Sequence, residues 1–87
     1  MSNRVYSKPA DSFKMLPVTD EMTATERLVV ERLNFSRKVV NLRGGINKAL
    51  RAYNRRTNSE IALATFKRYH APGSSGDSVI RFILNNY

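Results

Sequence analysis

Apolar side chains between residues 28 and 53 recur at mainly alternating intervals of three and four residues, the spacing of one face of an α-helix. Arg32 is the one polar residue at these positions. The face consists of Leu28, Phe35, Val39, Leu42, Ile46, Ala49 and Tyr53, and it is widened by Val29, Val30, Leu33, Val40 and Leu50. The pattern predicts helical structure over residues 23–54, with a face broad enough to be buried against two neighbouring elements.

Helix-start and helix-stop signals divide this segment. Thr23 followed by Glu26 is a capping box, in which the hydroxyl and the carboxylate each bond a backbone amide of the first turn. Gly44 and Gly45 interrupt the helix later on, since each glycine costs about 1 kcal/mol relative to alanine inside a helix. They either kink one long helix or separate two, and we expect a break or a strong kink. A short strand over residues 38–43 is a third option, because Val39 and Val40 are β-branched.

Two further helices are expected after residue 57. Thr57 and Glu60 form a second possible capping box, which predicts a helix over about residues 58–69. A Pro/Gly/Ser-rich loop over residues 71–76 ends it, and Asp77 or Ser75 would cap a last helix. That last helix is almost wholly apolar, so we expect it to be buried, either in this domain or against a second copy. Its apolar residues are Val79, Ile80, Phe82, Ile83 and Leu84.

The N-terminal residues follow neither helical nor strand spacing, and they include Pro9 and Pro17. We interpret residues 1–20 as an extended or flexible arm and residues 21–87 as a single helical domain. The arm either is partly disordered or acts as a strap whose Phe13, Met15 and Leu16 dock on a partner or on the chain's own core. The predicted fold is therefore an all-α domain of three to four helices with an extended N-terminal arm.

Length and composition exclude several classes of protein. The 87 residues suffice for one small domain, and 41% hydrophobic with 25% charged residues is an ordinary globular composition. Because the sequence has no cysteine, it cannot form disulfides or thiolate metal sites. It shows no signal-peptide core and no apolar run of the roughly 20 residues that a membrane-spanning helix needs. We therefore expect a cytoplasmic protein that is not bound to a membrane, and a nucleoid-associated one if it binds DNA.

The positive charge is concentrated in the middle third of the chain. Residues 32–59 contain eight lysines and arginines and no acidic residue, and the two ends together sum to zero, so the net charge of +8 lies in this segment. The commonest polyanions that such a segment meets are nucleic acids, followed by acidic protein surfaces and anionic membranes. The charge therefore predicts a polyanionic partner, and we favour DNA over RNA.

The cations of residues 46–55 share one helix face. Lys48, Arg51 and Arg55 lie three and four residues apart, with no carboxylate at the neighbouring helical positions, and arginine matches the geometry of phosphate. Base reading, if it occurs, would fall to Asn47, Asn54 or Asn58. The predicted nucleic-acid-binding residues are Arg37, Lys38, Arg43, Lys48, Arg51, Arg55, Arg56, Lys67, Arg68 and Arg81. The predicted partner-binding residues are Phe13, Met15, Leu16, Ile80, Ile83 and Leu84, and the last three would form a homodimer.

Two local resemblances agree with DNA binding. Thr57, Glu60, Ile61 and Ala62, with Gly73, Ser75, Ser78, Val79, Arg81, Phe82 and Ile83, resemble the helix-turn-helix family, although the interval from Ala62 to Gly73 is longer than in that family. Asn41, Leu42 and Arg43, with Asn58, Ser59, Glu60 and Ile61, resemble ribbon-helix-helix repressors, with a shorter interval than theirs. The first resemblance implies a helix-turn-helix-like C-terminal third and the second a DNA-reading strand.

Residues for catalysis are few. His70 is the only histidine, no acidic residue lies near it in sequence, and we interpret it as a surface or helix-end residue. The spacing of His, Asp and Glu predicts no metal site, and the Lys and Ser/Thr of a phosphate-binding loop do not follow Gly73–Gly76. We therefore predict a non-enzymatic protein without a cofactor, a DNA-binding regulator or accessory protein of the mobile-element kind. The alternatives are an inhibitor or adaptor that docks on an acidic protein surface, and a structural component of a nucleoprotein particle.

Overall fold

A computed structural model describes residues 9–87 of the chain. Four helices follow one another: α1 (Ala24–Leu42), α2 (Ile46–Thr57), α3 (Leu63–Tyr69) and α4 (Asp77–Asn86). No strand occurs among the described residues, so the prediction of a small all-α domain is confirmed. Residues 1–8, the first part of the predicted arm, lie outside the described residues.

The predicted start of α1 is confirmed in detail. The hydroxyl of Thr23 accepts a hydrogen bond from the Glu26 amide at 3.1 Å, and the Glu26 carboxylate accepts one from the Thr23 amide at 2.9 Å. The helix continues to Leu42, and the Arg43 amide donates to the carbonyls of Val39 and Val40. The optional strand over residues 38–43 and the ribbon-helix-helix reading strand are therefore wrong, because these residues complete a helix whose carbonyls are already bonded.

Gly44 and Gly45 separate α1 from α2 and do not merely kink one helix. Both have positive φ angles, 117° and 99°, which side chains disfavour. The Gly45 amide donates to the carbonyl of Val40 at 2.9 Å and closes α1 in the manner of a helix C-cap. A Cβ atom at Gly45 would also overlap the carboxylate of Asp11, so the break requires glycine here both for its conformation and for the space.

The predicted start of the third helix needs correction. Thr57 and Glu60 do not form a capping box, because Thr57 is the last residue of α2 and its hydroxyl donates to the carbonyl of Tyr53. Asn58 adopts a left-handed conformation that stops α2, and the side chain of Asn54 bonds both the amide and the carbonyl of Ile61. The connection is thereby held in an irregular form, and α3 begins only at Leu63.

The last helix starts as predicted, but without the predicted cap. Gly76 occupies the N-cap position and makes no side-chain capping bond, while Asp77 is the first helical residue. The Asp77 carboxylate instead pairs with Arg32 of α1 and Arg81 of α4. Seven residues, 70–76, connect α3 to α4, whereas a helix-turn-helix motif uses three or four. The helix-turn-helix resemblance is therefore not supported by the connection.

The core lies where α4 packs across α1, α2 and α3. Phe66 of α3 and Val40 of α1 are fully buried, and Val79 and Ile83 of α4 are 1% exposed. Ile80 is also buried, at 3%. The alternative in which α4 is buried within its own domain therefore holds, and the expected dimer contact through Ile80 and Ile83 is wrong because these side chains fill this chain's core. Leu84 is half-buried.

The apolar face predicted for α1 mostly faces outward, which corrects the expected packing. Leu28, Phe35 and Leu42 are 67%, 61% and 57% exposed. The buried apolar positions of α1 are instead Val30, Leu33 and Val40, on the opposite side of the helix. Helix α1 therefore has two apolar faces: one is buried in the core, and the other is mostly exposed, although its Val39 is half-buried against the core. In α2 the expected inward face is confirmed, with Ile46 and Ala49 buried and Leu50 and Tyr53 packed against the core.

Two asparagines of α1 hold the described part of the arm against the helix. Asn41 bonds both the amide and the carbonyl of Phe13, each at 2.8 Å, and Asn34 bonds the amide and the carbonyl of Leu16 at 2.7 and 3.0 Å. Seven helical residues and three extended residues both span about 10 Å, so the two pairs of residues match in spacing. The arm is a strap that runs antiparallel to α1. Phe13 is buried in the chain's own core, so it is not an exposed partner-binding residue, whereas Met15 remains exposed.

Candidate functional site

The outward face of α2 carries a row of three cations, which we call the α2 basic face: Lys48, Arg51 and Arg55. All three are exposed, while Ile46, Ala49 and Ala52 on the other side of the helix are buried. The packed side fixes the rotation of α2 about its axis. The predicted geometry of this face, cations outward and apolar residues inward, is therefore present in the structure.

Among the residues that the structure describes, no carboxylate lies within ion-pair distance of the α2 basic face. Across residues 9–87 both side-chain ion pairs use Asp77, with Arg32 and with Arg81 as partners. The acidic residue next to α2 is Asp11, whose carboxylate accepts a hydrogen bond from the Asn47 amide at the start of the helix. This bond lowers the pKa of Asp11, and the positive charge of Arg51 lowers it further. The carboxylate therefore serves to cap α2, and the face keeps its net positive charge.

Bonds to the C-terminal end of α4 anchor both ends of α2. Arg56 donates to the carbonyl of Asn86 at 2.7 Å, and the hydroxyl of Tyr87 donates to the carbonyl of Arg43, just before α2, at 3.0 Å. Burial raises the pKa of the Tyr87 hydroxyl, which therefore stays a donor at neutral pH. These contacts tie both ends of α2 to the end of α4.

The remaining predicted cations divide into exposed and engaged residues. Four are exposed on the helices or at a helix end: Lys38, Arg43, Lys67 and Arg68. Arg81 is exposed but pairs with Asp77 at 2.5 Å. Arg37 is not available, because its guanidinium donates to the carbonyls of Lys14 and His70 and lies 5.0 Å from the centre of the Phe13 ring. Its inclusion among the phosphate-binding residues is corrected: Arg37 holds the arm and the end of α3 together.

The three candidate base-reading asparagines differ in availability. Asn54 has both side-chain groups bonded to Ile61, so it is engaged in structure and is removed from the candidates. Asn47 is exposed beside Asp11 at the first turn of α2, and Asn58 is exposed at the other end. Base contacts from these asparagines would therefore be limited to Asn47 and Asn58.

His70 is a core residue, which corrects the expected surface position, although it does cap the end of α3. Its Nδ1 donates to the carbonyl of Phe66 at 3.1 Å, so its Nε2 accepts from the hydroxyl of Ser36 at 3.2 Å. The ring stacks on Phe13 at 4.5 Å between centres. Burial, with a smaller contribution from Arg37, lowers the pKa of His70 to about 4. The neutral imidazole is enclosed by the core and does not line a site.

Four residues whose hydrogen bonds hold distant parts of the fold together could not be recognised clearly from the sequence. Asn34 and Asn41 look like ordinary polar positions of a helix, and Asp11 like an arm residue, because their partners are 18 to 36 residues away. Ser36 is fully buried, and its hydroxyl bonds His70, 34 residues later. The one detectable hint was the pair of asparagines seven residues apart on one helix face.

The chain matches no protein-family profile, no curated protein sequence and no solved structure. Among residues 9–87, no helix has both the length and the apolar character needed to cross a membrane. In the same part of the chain, no three acidic or histidine side chains gather into a metal-binding group. The features of the described residues that bear on function are therefore the charge and geometry of their surface.

Proposed function

We propose that this protein binds nucleic acid, and duplex DNA in particular, through the α2 basic face. The observation that supports the proposal is that Lys48, Arg51 and Arg55 share the exposed side of a packed helix, with no carboxylate of the described residues in ion-pair distance. Cations of this kind bind phosphates by releasing the counterions condensed on the nucleic acid. The face has the charge needed for a phosphate-binding surface.

The spacing of the three cations suits a phosphate backbone. From Lys48 to Arg55 the helix rises about 10 Å, and a duplex carries one negative charge per roughly 1.7 Å of its axis, so about six phosphates pass in that distance. Arg43 lies just before α2 and Arg56 in its last turn, so two further cations flank the face at its ends. Both keep their positive charge: Arg56 donates to the carbonyl of Asn86, and only the backbone carbonyl of Arg43 is engaged, by the hydroxyl of Tyr87. The proposed surface therefore offers about five positive charges.

Helix geometry favours DNA as the partner. An α-helix fits the major groove of B-form DNA, while the major groove of A-form RNA is too deep and narrow for side chains to read. We expect weak sequence preference, because Asn54, one of the three candidate base-reading residues, is bonded to Ile61. The protein would thus act as a DNA-binding accessory or regulatory factor whose affinity comes mainly from phosphates.

The test is a salt titration of binding to a fluorescently labelled DNA duplex of about 20 base pairs, followed by anisotropy. We expect micromolar affinity at low salt and a linear fall of log K with log salt. The double variant Arg51→Gln/Arg55→Gln should reduce the slope by about 2. The matched control, Lys14→Gln/Arg27→Gln, removes the same charge from exposed residues outside the α2 basic face and should change the slope much less.

Three outcomes would reject the proposal: millimolar affinity at low salt, affinity that does not fall with salt, or an equal effect of the two double variants. The last would indicate diffuse attraction to net charge. Duplex RNA and single strands of the same sequence are measured in parallel, and tighter binding to RNA would contradict the DNA preference alone. If nucleic acid does not bind, the alternative function is that of an inhibitor or adaptor, which would dock its basic face on an acidic surface of another protein.

A further inference from the structure

A second surface of the chain, independent of the α2 basic face, lies along the outward side of α1. Leu28, Phe35 and Leu42 are each more than half exposed there, and they are seven residues apart. Seven residues are almost two helical turns, so these side chains form one line along the helix. Large apolar side chains exposed in a line on one helix are a feature of interaction sites.

The spacing along this line is that of a helix-pairing seam. Counting from Leu28, the positions follow intervals of four, three, four and three residues through Arg32, Phe35, Val39 and Leu42. This is the a/d repeat of a two-stranded coiled coil. Arg32 interrupts the apolar series, but its guanidinium is bonded to Asp77 of α4 at 2.6 Å, which draws the charge away from the line. We call these five residues the α1 seam.

We propose that the α1 seam binds the same seam of a second copy of this chain, with the two α1 helices antiparallel. The flanking charges favour this orientation. Glu31 and Lys38 are exposed beside the seam, one on each side of Phe35 along the helix. In an antiparallel pair, Glu31 of each copy lies opposite Lys38 of the second copy, giving two attractive contacts.

A parallel pair would be less favourable for two reasons. It would place Lys38 opposite Arg43 of the second copy, and these two like charges repel each other. It would also bring the two α2 basic faces together at one end of the helix pair. Each chain carries a net charge of +8, most of it after the middle of α1. The antiparallel arrangement separates the ends of the 19-residue helices by about 28 Å, several times the screening length of roughly 8 Å in physiological salt.

The two seams pack Leu28 against the exposed part of Val39 of the second copy, which on its other side contacts the core of its own chain. Phe35 packs against the stem of Arg32 of the second copy. A contact of one helix per chain is smaller than the roughly 800 Å² per partner of a standard stable interface. The dimer should therefore dissociate in the micromolar range.

The test measures the mass of the nucleic-acid-free, full-length chain by sedimentation equilibrium over a concentration series. The wild-type chain should pass from 9.9 kDa towards twice that mass as its concentration rises. Phe35→Glu should weaken association at least about a hundredfold, because the charge would be buried without a partner. Its circular dichroism should stay helical, since this side chain is exposed in the monomer.

Charge reversal tests the orientation without removing apolar surface. Glu31→Lys and Lys38→Glu should each weaken the dimer about tenfold, and the double variant should restore it, because the two contacts then reform with reversed signs. Glu60→Lys and Lys67→Glu are the matched controls, with the same charge changes at exposed positions on other parts of the chain, and should leave the dimer nearly unchanged.

A wild-type chain that stays at 9.9 kDa at all concentrations would overturn the proposal. So would a dimer that Phe35→Glu leaves intact. Tighter association of Lys38→Glu would indicate a parallel pair and would contradict the proposed orientation, as would failure of the double reversal to restore binding.

Discussion

The carboxylate of Asp11 accepts a hydrogen bond from the backbone amide of Asn47, 2.7 Å away and 36 residues later in the chain. The carbonyl of the same aspartate accepts the amide of Ile46 at 3.0 Å. Helix α2 follows a glycine that has no side chain to cap it, so the arm supplies the missing acceptors. The strap and the start of the proposed binding helix are thereby one structural unit.

Replacing this cap should destabilise the domain. Asp11→Ala removes the acceptor of the Asn47 amide, and loss of a side-chain N-cap costs about 1 kcal/mol. The measurement is the free energy of unfolding in urea. Asp20→Ala removes the same charge from an exposed residue before α1 and should change the stability by less than half as much.

The Asp11 bond also predicts a pH dependence with a definite sign. The Asn47 amide lowers the pKa of Asp11 below its ordinary value of 3.8, so the folded chain binds this proton less readily than the unfolded chain. The contribution of the ionised Asp11 carboxylate to folding stability is therefore present above pH 3.8, and it is lost as the pH falls through the pKa of Asp11 in the folded chain. The difference in stability between wild type and Asp11→Ala should shrink below pH 3.8, and a constant difference would contradict this account.

Gly45 and Gly44 should respond differently to alanine although both have positive φ angles. At Gly45 the new Cβ would overlap the Asp11 carboxylate and press on Pro9, so Gly45→Ala combines backbone strain with displacement of the cap. At Gly44 the overlap is with the flexible side chain of Lys48, which can move away. We expect a loss of about 3 kcal/mol at Gly45 and about 1 kcal/mol at Gly44. Equal thermal-unfolding shifts for the two variants would argue against the packed arm.

The asparagine bonds predict which residue secures the strap. Asn41 is buried, so Asn41→Ala leaves the amide and the carbonyl of Phe13 without partners and should cost about 2–4 kcal/mol. Asn34→Ala is the matched comparison, and it should cost less because water can reach the partly exposed Leu16 backbone. Hydrogen exchange of the Phe13 and Leu16 amides reports the two sites separately. If the Phe13 amide stays protected in Asn41→Ala, the bond does not hold the arm.

His70 predicts a loss of stability in mild acid. Its folded pKa of about 4 lies below the ordinary 6.5, so the unfolded chain takes up the proton first. The stability that comes from a neutral imidazole is complete above pH 6.5 and falls between pH 6.5 and about 4, by up to about 3 kcal/mol. Proton NMR of the imidazole in the folded chain should give the lowered pKa directly. A pKa near 6.5 would show that the ring is accessible to water.

Arg37 should affect stability and not nucleic-acid binding. Arg37→Lys keeps the charge but cannot bond the Lys14 and His70 carbonyls together, and we expect a loss of about 1–3 kcal/mol. Arg37→Gln also removes the charge, yet the salt dependence of DNA binding should stay that of wild type. A slope reduced by about 1 in Arg37→Gln would return this residue to the binding surface.

Local signals predicted the helices well where the controlling residues are neighbours in sequence. The capping box of Thr23 and Glu26, the break at Gly44 and Gly45, and the outward cations of α2 all depend on residues within about two helical turns. The same reasoning was wrong at Thr57, because the side chain of Asn54, three residues earlier in α2, holds the following connection in another form.

The amino-acid sequence by itself determined the all-α class, the position of the α1–α2 break and the concentration of charge on α2, since periodicity and capping are local properties. Only the tertiary structure decided which of two apolar faces of α1 is buried, because packing of α4 and of the strap selects Val30, Leu33 and Val40 and leaves Leu28, Phe35 and Leu42 outside. It also decided which cations are available, since the partners of Arg37 are distant in the chain. These outcomes depend on contacts between segments that are distant in the chain, and local sequence patterns do not predict the free energies of such contacts.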